Sequence, residues 1–463
     1  MATLQEIFSI SSAGINAGRN TASIAAFNIV NAQTPGFARR VSNLQTGATI
    51  GMGVIAGPAQ AIRNTILART LMGGQSRLGF HDAQLSALQV AEPALNDLDN
   101  SGINKALTDL RSALDILSAT PAGTAERQGL IGAAKSLALT FATTSRQLTD
   151  AARAATDEAR DVVGDINEAA KNVATLNARI RTNVSGEGDL VGLIDQRDQI
   201  LTEMSNNLDI QVVSQKDGSV LVFAAGGRPL VTGTGASSFE VGPAGTPGSF
   251  EIGVTLTKPG GAKLDPLAPL GGRLGGLIEA NNGVLGSQAA RLDEIAFSFV
   301  SGFNTQHQSG TTPNGQPGGT FFEPISTVAG AARSIVVSAA IVADPSLIAG
   351  AGATPSGSTD NANFLALADL PNQVGVMADG SSIVGAYDAM VFNLAININN
   401  SETGSAIETA SVLQIQTLID SESAVNTADE EAKLVQARAA FDAASTVTTT
   451  VTNMLDTLLS MVG

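Results

Sequence analysis

The chain has no cysteine and no tryptophan, one tyrosine, and only two histidines, His81 and His307, among 463 residues. Without thiols it forms no disulfide and does no thiolate chemistry, while a cysteine-free chain fits any redox compartment. Two isolated histidines argue against a histidine-rich metal site and read as surface or packing residues. Positive charge is scarce as well: 26 Lys and Arg face 42 Asp and Glu, a formal net charge of −16. Affinity for phosphate backbones comes from clustered cations, so nucleic acid is not expected as a partner. No uncharged apolar run approaches the roughly 18 residues of a spanning helix, and no membrane insertion is expected. The first basic residue is Arg19, and no apolar block follows a charged start, so a cleaved secretory signal is not visible.

What the chain does contain is length and heptads. Its 463 residues suit two to four domains. Steps of four and three from the start pick out Leu4, Phe8, Ser11, Ile15, Gly18, Ala22, Ala25 and Ile29, a seam of small and apolar residues. The other end repeats the pattern with Leu434, Ala437, Phe441, Ala444, Thr448, Val451, Leu455, Leu458 and Val462. Thr427 and Glu430 stand at capping-box spacing and are expected to start this last helix. A helix over 434–462 is about 43 Å long, and one narrow stripe does not fill a compact core. Two packings fit: on a globular body, or on each other and on neighbouring subunits.

Between the ends, helices are expected over 75–98 and 103–117, then a Thr-Pro-Ala-Gly turn at 120–123. A very long helix follows, with the seam Leu148, Ala152, Ala155, Ala159, Val162, Ile166, Ala169, Val173, Leu176 and Ile180. No proline lies between Ala122 and Val184, so it can run about 90 Å before Gly186 and Gly188 stop it. A helix over 189–207 leads to a hairpin, 210–213 and 220–223, turning at Asp217-Gly218. Gly, Pro, Ser and Thr dominate 232–272, broken by a strand at 250–256. Helix resumes over 274–306, a polar loop covers 308–320, a strand is expected at 334–337, and helices return at 362–368 and from 383 onward. The fold class is therefore mainly α with a small β insertion, elongated and multi-domain. Terminal segments 1–48 and 426–463 form a coiled coil, 49–208 and 271–425 a helical middle with a mixed segment at 320–380, and 209–270 a β-rich outer domain.

Motifs for chemistry are weak. Asp97, Asp99, Ser101 and Gly102 imitate a calcium loop, but Thr108 stands where the bidentate Glu belongs. Gly51 to Gly57 contains Gly-x-Gly without the βαβ setting of a phosphate cradle. Asp195, Arg197 and Asp198 read as a solvated, charge-balanced helix face. No nucleophile, base and acid can be assembled. No catalytic, cofactor-binding or metal residue is assigned, and no enzyme is expected.

One stretch is specific. NIVNAQTPGFARR, with Asn28, Asn31, Thr34, Pro35, Gly36 and Phe37, resembles the signature that opens flagellar rod, hook and hook-associated proteins. GVIAGPAQAIRN at 53–64 looks like the strand that follows it, and DEEAKLVQARAAFDAASTVTTTVTNMLDTLL at 429–459 is similar to the family's C-terminal helix. Departures are modest: Ile29-Val30 replaces the commoner Ile-Ala or Ile-Ser, and Phe441 stands where Tyr is usual. In the middle, GDLVGLIDQRDQILTEMS, GGRLGGLIEANN, FNTQHQSG and GTFFEP resemble the hook-associated members of the first hook–filament junction. Flagellin lacks the Thr-Pro-Gly-Phe turn.

The resemblance implies a non-enzymatic adaptor between hook and filament, a homo-oligomer in the axial assembly. Implied partners are hook protein, the second junction protein (hook-associated protein 3), and an export chaperone on the C-terminal helix. It also implies export by the flagellar type III apparatus, from the cytoplasm to an extracellular place on the flagellum. Terminal helices would line the inner tube, disordered in the monomer and folding on assembly. Hook or distal-rod protein, or a secreted enzyme or adhesin carried on the β insertion, are the competing readings. Thr34-Pro35-Gly36 is expected to stop the first helix, with Phe37 packing the turn and Arg39 and Arg40 solvated or paired with acidic neighbours.

Overall fold

The structure, a computed structural model, describes residues 3–34, 36–47, 53–95, 102–183, 189–243, 251–264, 270–357 and 359–462. Helices dominate. In chain order they are α1 (Leu4–Val30), α2 (Thr65–Leu95), α3 (Ile103–Ala119), α4 (Thr124–Thr182), α5 (Leu190–Asn207), α6 (Gly272–Ile278), α7 (Gly286–Ser309), α8 (Ala339–Ala343), α9 (Ala362–Asp369), α10 (Ile383–Ser423) and α11 (Thr427–Val462).

The spine is α4, 59 residues without a break. Its heptad stripe, from Leu148 through Ala155, Val162, Ile166 and Val173 to Ile180, is buried, and α2, α3, α5, α6 and α7 all pack on it. Arg179 and Arg181 sit in its last turn, where cations complement the helix dipole. The expected 274–306 helix is interrupted: α6 passes through a π-helical turn, Glu279–Leu285, before α7. Helix α2 begins earlier than the apolar pattern indicated, because Asn64 Oδ1 caps it by accepting from the N–H groups of Ile66 (3.0 Å) and Leu67 (3.1 Å).

Strands β5 (Ile210–Ser214), β6 (Val220–Ala224), β7 (Arg228–Thr232) and β8 (Gly235–Ala236) form an antiparallel sheet in sequence order. Strands β9 (Ser238–Pro243), β10 (Ile252–Thr257) and β11 (Lys263–Leu264) form a second. Both rest on α4 through asparagines that act as extra strand residues. Asn177 donates to Val220 O (2.8 Å) and Gly233 O (3.0 Å) and accepts from Val220 N (3.0 Å). Asn167 does the same with Phe239, at 2.9 and 2.7 Å. Val222, Leu230, Phe239, Val254 and Leu256 join the helical core in one continuous apolar cluster. The β region is thus docked on the spine and has no core apart from it.

The expected strand at 334–337 does not form. Val337 makes only an isolated bridge to Phe322, with Glu323 N donating to Val336 O (2.8 Å) and Ser338 N to Phe321 O (2.8 Å), and side chains from the helices cap the neighbouring chain. Asn304 of α7 donates to Phe322 O and accepts from Phe321 N and Phe322 N, each at 2.9 Å. Arg127 of α4 donates to the carbonyls of Ile348 (2.7 Å) and Pro121 (2.7 Å). Beneath lie Phe299, Phe303, Phe321 and Phe322, ring centroids 5.0 to 5.6 Å apart.

Candidate functional site

The two chain ends meet. Helices α1 and α11 lie antiparallel, and their closest approach is set by glycine: a Cβ on Gly14 would stand 3.3 Å from Ala444 Cβ, and one on Gly18 would stand 3.1 Å from Ala437 O. Ser11, Gly18, Ala25 and Asn28 are the buried positions along this line. Of the expected seam, Leu4, Ile15, Ala22 and Ile29 are half-buried, and Phe8 is 44% exposed on the outer side. On α11, Ala437 and Val451 are buried and Leu434 and Phe441 half-buried, whereas Leu455 and Leu458 are exposed. The small members of the expected seam, Ser11, Gly18 and Ala25, are the ones buried, because helices approach closest where side chains are smallest; Gly14 joins them from beside the seam, while Phe8 on it stays exposed.

At the end of α1 a corner is built on Asn28, which is fully buried. It donates to Arg40 O (2.8 Å) and accepts from Arg40 N (2.9 Å), so it pairs with the outgoing chain as a strand would. Its amide also donates to Glu430 Oε2 (2.9 Å), joining positions 402 residues apart. Glu430, 2% exposed, further accepts from Arg39 Nε (2.9 Å) and Lys433 Nζ (2.7 Å). Burial opposes its ionisation, but bonds from Lys433, Asn28 and Arg39 outweigh that and hold the carboxyl below its ordinary value. Because Glu430 is drawn to α1, it does not close the expected capping box with Thr427. Asn426 caps α11 instead, accepting from Ala428 N (3.1 Å) and Asp429 N (3.4 Å).

The rest of the signature shapes the turn. Asn31 Nδ2 donates to Phe27 O (2.9 Å) at the helix end, and Thr34 Oγ1 donates to Asn31 Oδ1 (3.3 Å). Gly36 takes φ +74°, a conformation that L side chains rarely adopt, and faces Gln199 of α5. Phe37 lies 5.7 Å from Phe27, and the Arg40 guanidinium stacks 4.1 Å over the Phe27 ring. Pro35 lies outside the described residues.

Arg40 then reaches the body, meeting Asp189 at 3.0 Å and Asp195 at 3.6 Å. Arg63, from the strand β4 (Gln60–Ala61) side, pairs with Asp195 and, at 3.7 Å, with Asp198. The reading of Asp195, Arg197 and Asp198 as a solvated face is therefore corrected. The Asp195 side chain is 13% exposed, and Arg197 is buried and donates to Gly218 O (2.8 Å). Burial raises the Asp195 pKa, against the opposing pull of Arg63 and Arg40. Sequence reasoning missed these links because their partners lie far apart along the chain.

The glycine run packs a hairpin rather than a ligand: β2 (Leu44–Thr46) pairs with β3 (Val54–Ala56), and Gly53 abuts Ile10 and Ala13 of α1. Asp97, Asp99 and Ser101 lie outside the described residues, as does Gly51. His307 is buried, its Nδ1 donating to Gly319 O (2.8 Å) and its Nε2 accepting from Ala349 N (2.9 Å). Among the described residues, no group of three or more His, Asp or Glu could hold a metal ion, and no helix is long and apolar enough to cross a membrane.

A helical spine with docked strands, both chain ends closed at one pole by a packed ionic corner, defines an elongated structural protein of axial type. A family model described as the flagellar hook-associated protein FlgK helical domain matches residues 88–322, and the chain belongs to this family. It is 26% identical to flagellar hook-associated protein 1 of Bacillus subtilis, over 97% of this chain and 96% of that protein. It is 27% identical to flagellar hook-associated protein 1 of Escherichia coli over 67% of this chain, and spans 58% of that longer relative. Its fold is similar to the flagellar hook junction protein FlgK from Burkholderia pseudomallei: TM-score 0.65 at 18% identity, covering 76% of this chain and 99% of that one.

Proposed function

We propose that this protein is a structural adaptor of the bacterial flagellum, joining hook to filament as a homo-oligomeric ring or helical layer. The observation that carries the reading is the terminal pair. Its inner seam is made of small residues, yet its outer side leaves Phe8, Val30, Val435, Leu459 and Met461 in solvent. A face of that kind is buried when copies pack side by side.

In this reading 1–48 and 426–463 form the inner coiled-coil layer, 49–208 with 271–425 the helical middle, and 209–270 the outward β region. Asn28, Asn31, Thr34, Pro35, Gly36 and Phe37 hold the angle between inner layer and body. Hook protein and hook-associated protein 3 are the axial neighbours at the extracellular junction. A type III export chaperone covers the apolar stripe of α11 in the cytoplasm.

A deletion strain tests this directly. Complete hooks without filaments, and flagellin lost to the medium, are expected; loss of the hooks as well would move the protein to the hook or distal rod. Removing 434–463 is expected to abolish both chaperone binding and junction assembly. A truncated chain that still binds its chaperone places that site elsewhere.

A further inference from the structure

We infer that Asn28 with Glu430, and Ser11 with Thr448, set the register of α1 against α11 and so determine how much of α11 is left uncovered. Most of the seam cannot choose a register. Gly14 faces Ala444, Gly18 faces Ala437 and Phe441, and a slide of one heptad lays Gly14 on Val451 or Ala437, which are apolar too. The polar pairs do discriminate. Ser11 Oγ and Thr448 Oγ1 meet at 2.9 Å, and Asn28 Nδ2 and Glu430 Oε2 meet at 2.9 Å. The pairs are 17 residues apart on α1 (28 − 11) and 18 apart on α11 (448 − 430), so a single antiparallel alignment satisfies both.

A heptad slide breaks both pairs together. In one direction Asn28 comes opposite Ala437 and Thr448 opposite Gly18; in the other, Thr448 faces Leu4 and Asn28 runs off the start of α11. The Glu430 carboxylate then leaves Arg39 as well, since Arg39 travels with the corner at the end of α1. Each slide takes from the Glu430 carboxylate its bonds from Asn28 and Arg39 and leaves it Lys433 alone, while the observed register satisfies it with all three. One polar contact in a seam that is otherwise indifferent is an established way to fix alignment.

The register has a consequence for assembly, and this step rests on the function proposed above. With Ser11 opposite Thr448, Leu4 lies opposite Leu455, so α11 beyond Leu455 runs past the start of α1, and Leu458, Leu459 and Met461 are exposed there. A slide one way would cover this overhang with the chain's own α1. A slide the other way would lengthen it by two turns. The polar pairs therefore meter the apolar surface offered to a neighbouring copy.

The natural absence of cysteine makes the test clean. Gly14→Cys with Ala444→Cys reports the observed register, since the two Cβ positions stand 3.3 Å apart, near disulfide spacing. Gly14→Cys with Val451→Cys, and Gly14→Cys with Ala437→Cys, report the two heptad slides. In the purified full-length chain under mild oxidation, only the first pair is expected to cross-link. Adding Asn28→Leu and Glu430→Leu together with Ser11→Ala and Thr448→Val keeps an apolar seam, and both slipped pairs are expected to rise from background to yields comparable with the first. Glu430→Gln, which still hydrogen-bonds Asn28, is expected to retain the single register. If the variant lacking both polar pairs cross-links only in register, or not at all, the polar pairs serve pairing and not register, and the inference fails. Cross-linking is read without motility, so its outcome stands apart from that of the deletion strain.

Discussion

Helices α4 and α11 carry the same kind of heptad seam and end in different circumstances. Along 59 residues α4 buries nearly every seam position, because five helices and two sheets surround it. Along 36 residues α11 has one helical partner, and among its described residues only Glu430, Ala437 and Val451 are buried. A heptad states that a helix has one apolar face; it does not state what covers that face. In α4 the cover is the rest of the chain, and in α11 most of the stripe has no cover among the described residues.

The sharpest way to break the comparison is to truncate a side chain in each region. Phe299 stands at the centre of the buried aromatic cluster against Phe141, Phe303 and Phe322. Phe299→Ala is expected to lower unfolding stability by about 3–5 kcal/mol in chemical denaturation, from lost burial and the cavity left behind. Val447→Ala on α11, at an exposed position, is expected to stay within about 0.5 kcal/mol. Comparable losses at both sites would mean that the terminal pair is as tightly packed as the body.

Glycines sharpen the same contrast inside the body. A Cβ at Gly276 of α6 would stand 2.1 Å from the Phe80 carbonyl of α2, so the two helices must part to admit it. Gly276→Ala is expected to cost about 1–3 kcal/mol as overpacking. Gly164, on the solvent side of α4, has nothing within 4 Å of the added carbon. Gly164→Ala is expected to stabilise by about 0.5–1 kcal/mol, since alanine loses less backbone freedom in a helix. Paired thermal melts of the two variants should shift in opposite directions.

How much could be read beforehand follows the same division. The limits of α4, the hairpin β5–β6 and the start of α5 at Asp189 were legible, because local period and turn residues decide them. The face of α1 was only half legible: Ser11, Gly18 and Ala25 of the expected seam are buried, whereas Phe8 on the same seam is exposed and the close approach at Gly14 lies beside it. The corner's motif was visible at Asn28 and Gly36, but its partners were not. No local pattern tells that Glu430 serves Asn28 rather than the cap of its own helix, or that Arg63 and Arg40 converge on Asp195. The missing strand at 334–337 had the right composition, but it finds only one bridge, Val337 to Phe322, and no ladder beyond it.

Acid separates the regions by pH. Burial lowers the His307 pKa below its ordinary 6.5, outweighing the bond to Gly319, so the folded body holds it neutral while the unfolded chain protonates it. Its contribution to body stability is full above pH 6.5 and declines as pH falls from there toward the lowered folded value, by at most about 1.4 kcal/mol per pH unit. Glu430 has its ordinary value of 4.5 lowered, so its contribution at the corner is present above pH 4.5 and is lost as pH falls through the lower folded value. Body stability, followed through the buried Tyr387, is therefore expected to soften at a higher pH than the terminal pair, followed by hydrogen exchange in α1 and α11. Simultaneous loss would mean that one titration controls both.

The smallest expected effect on the monomer lies at the end of α11. Leu459 is 70% exposed, and neither it nor Met461 meets α1, so Leu459→Ala and Met461→Ala remove little that the single chain buries. Each is expected to change unfolding stability by less than about 0.5 kcal/mol. Assembly should respond differently, because burying one such side chain at a contact between copies is worth roughly 1.5–3 kcal/mol, and a layer repeats that contact in every subunit. The paired measurement is denaturation of the purified variant and filament formation by a strain carrying it. Unchanged stability with filaments lost places the missing cover of α11 in a neighbouring copy. Unchanged stability with normal filaments would show that these side chains stay wet in the assembly too, and that the contrast with α4 ends before the last turns of the helix.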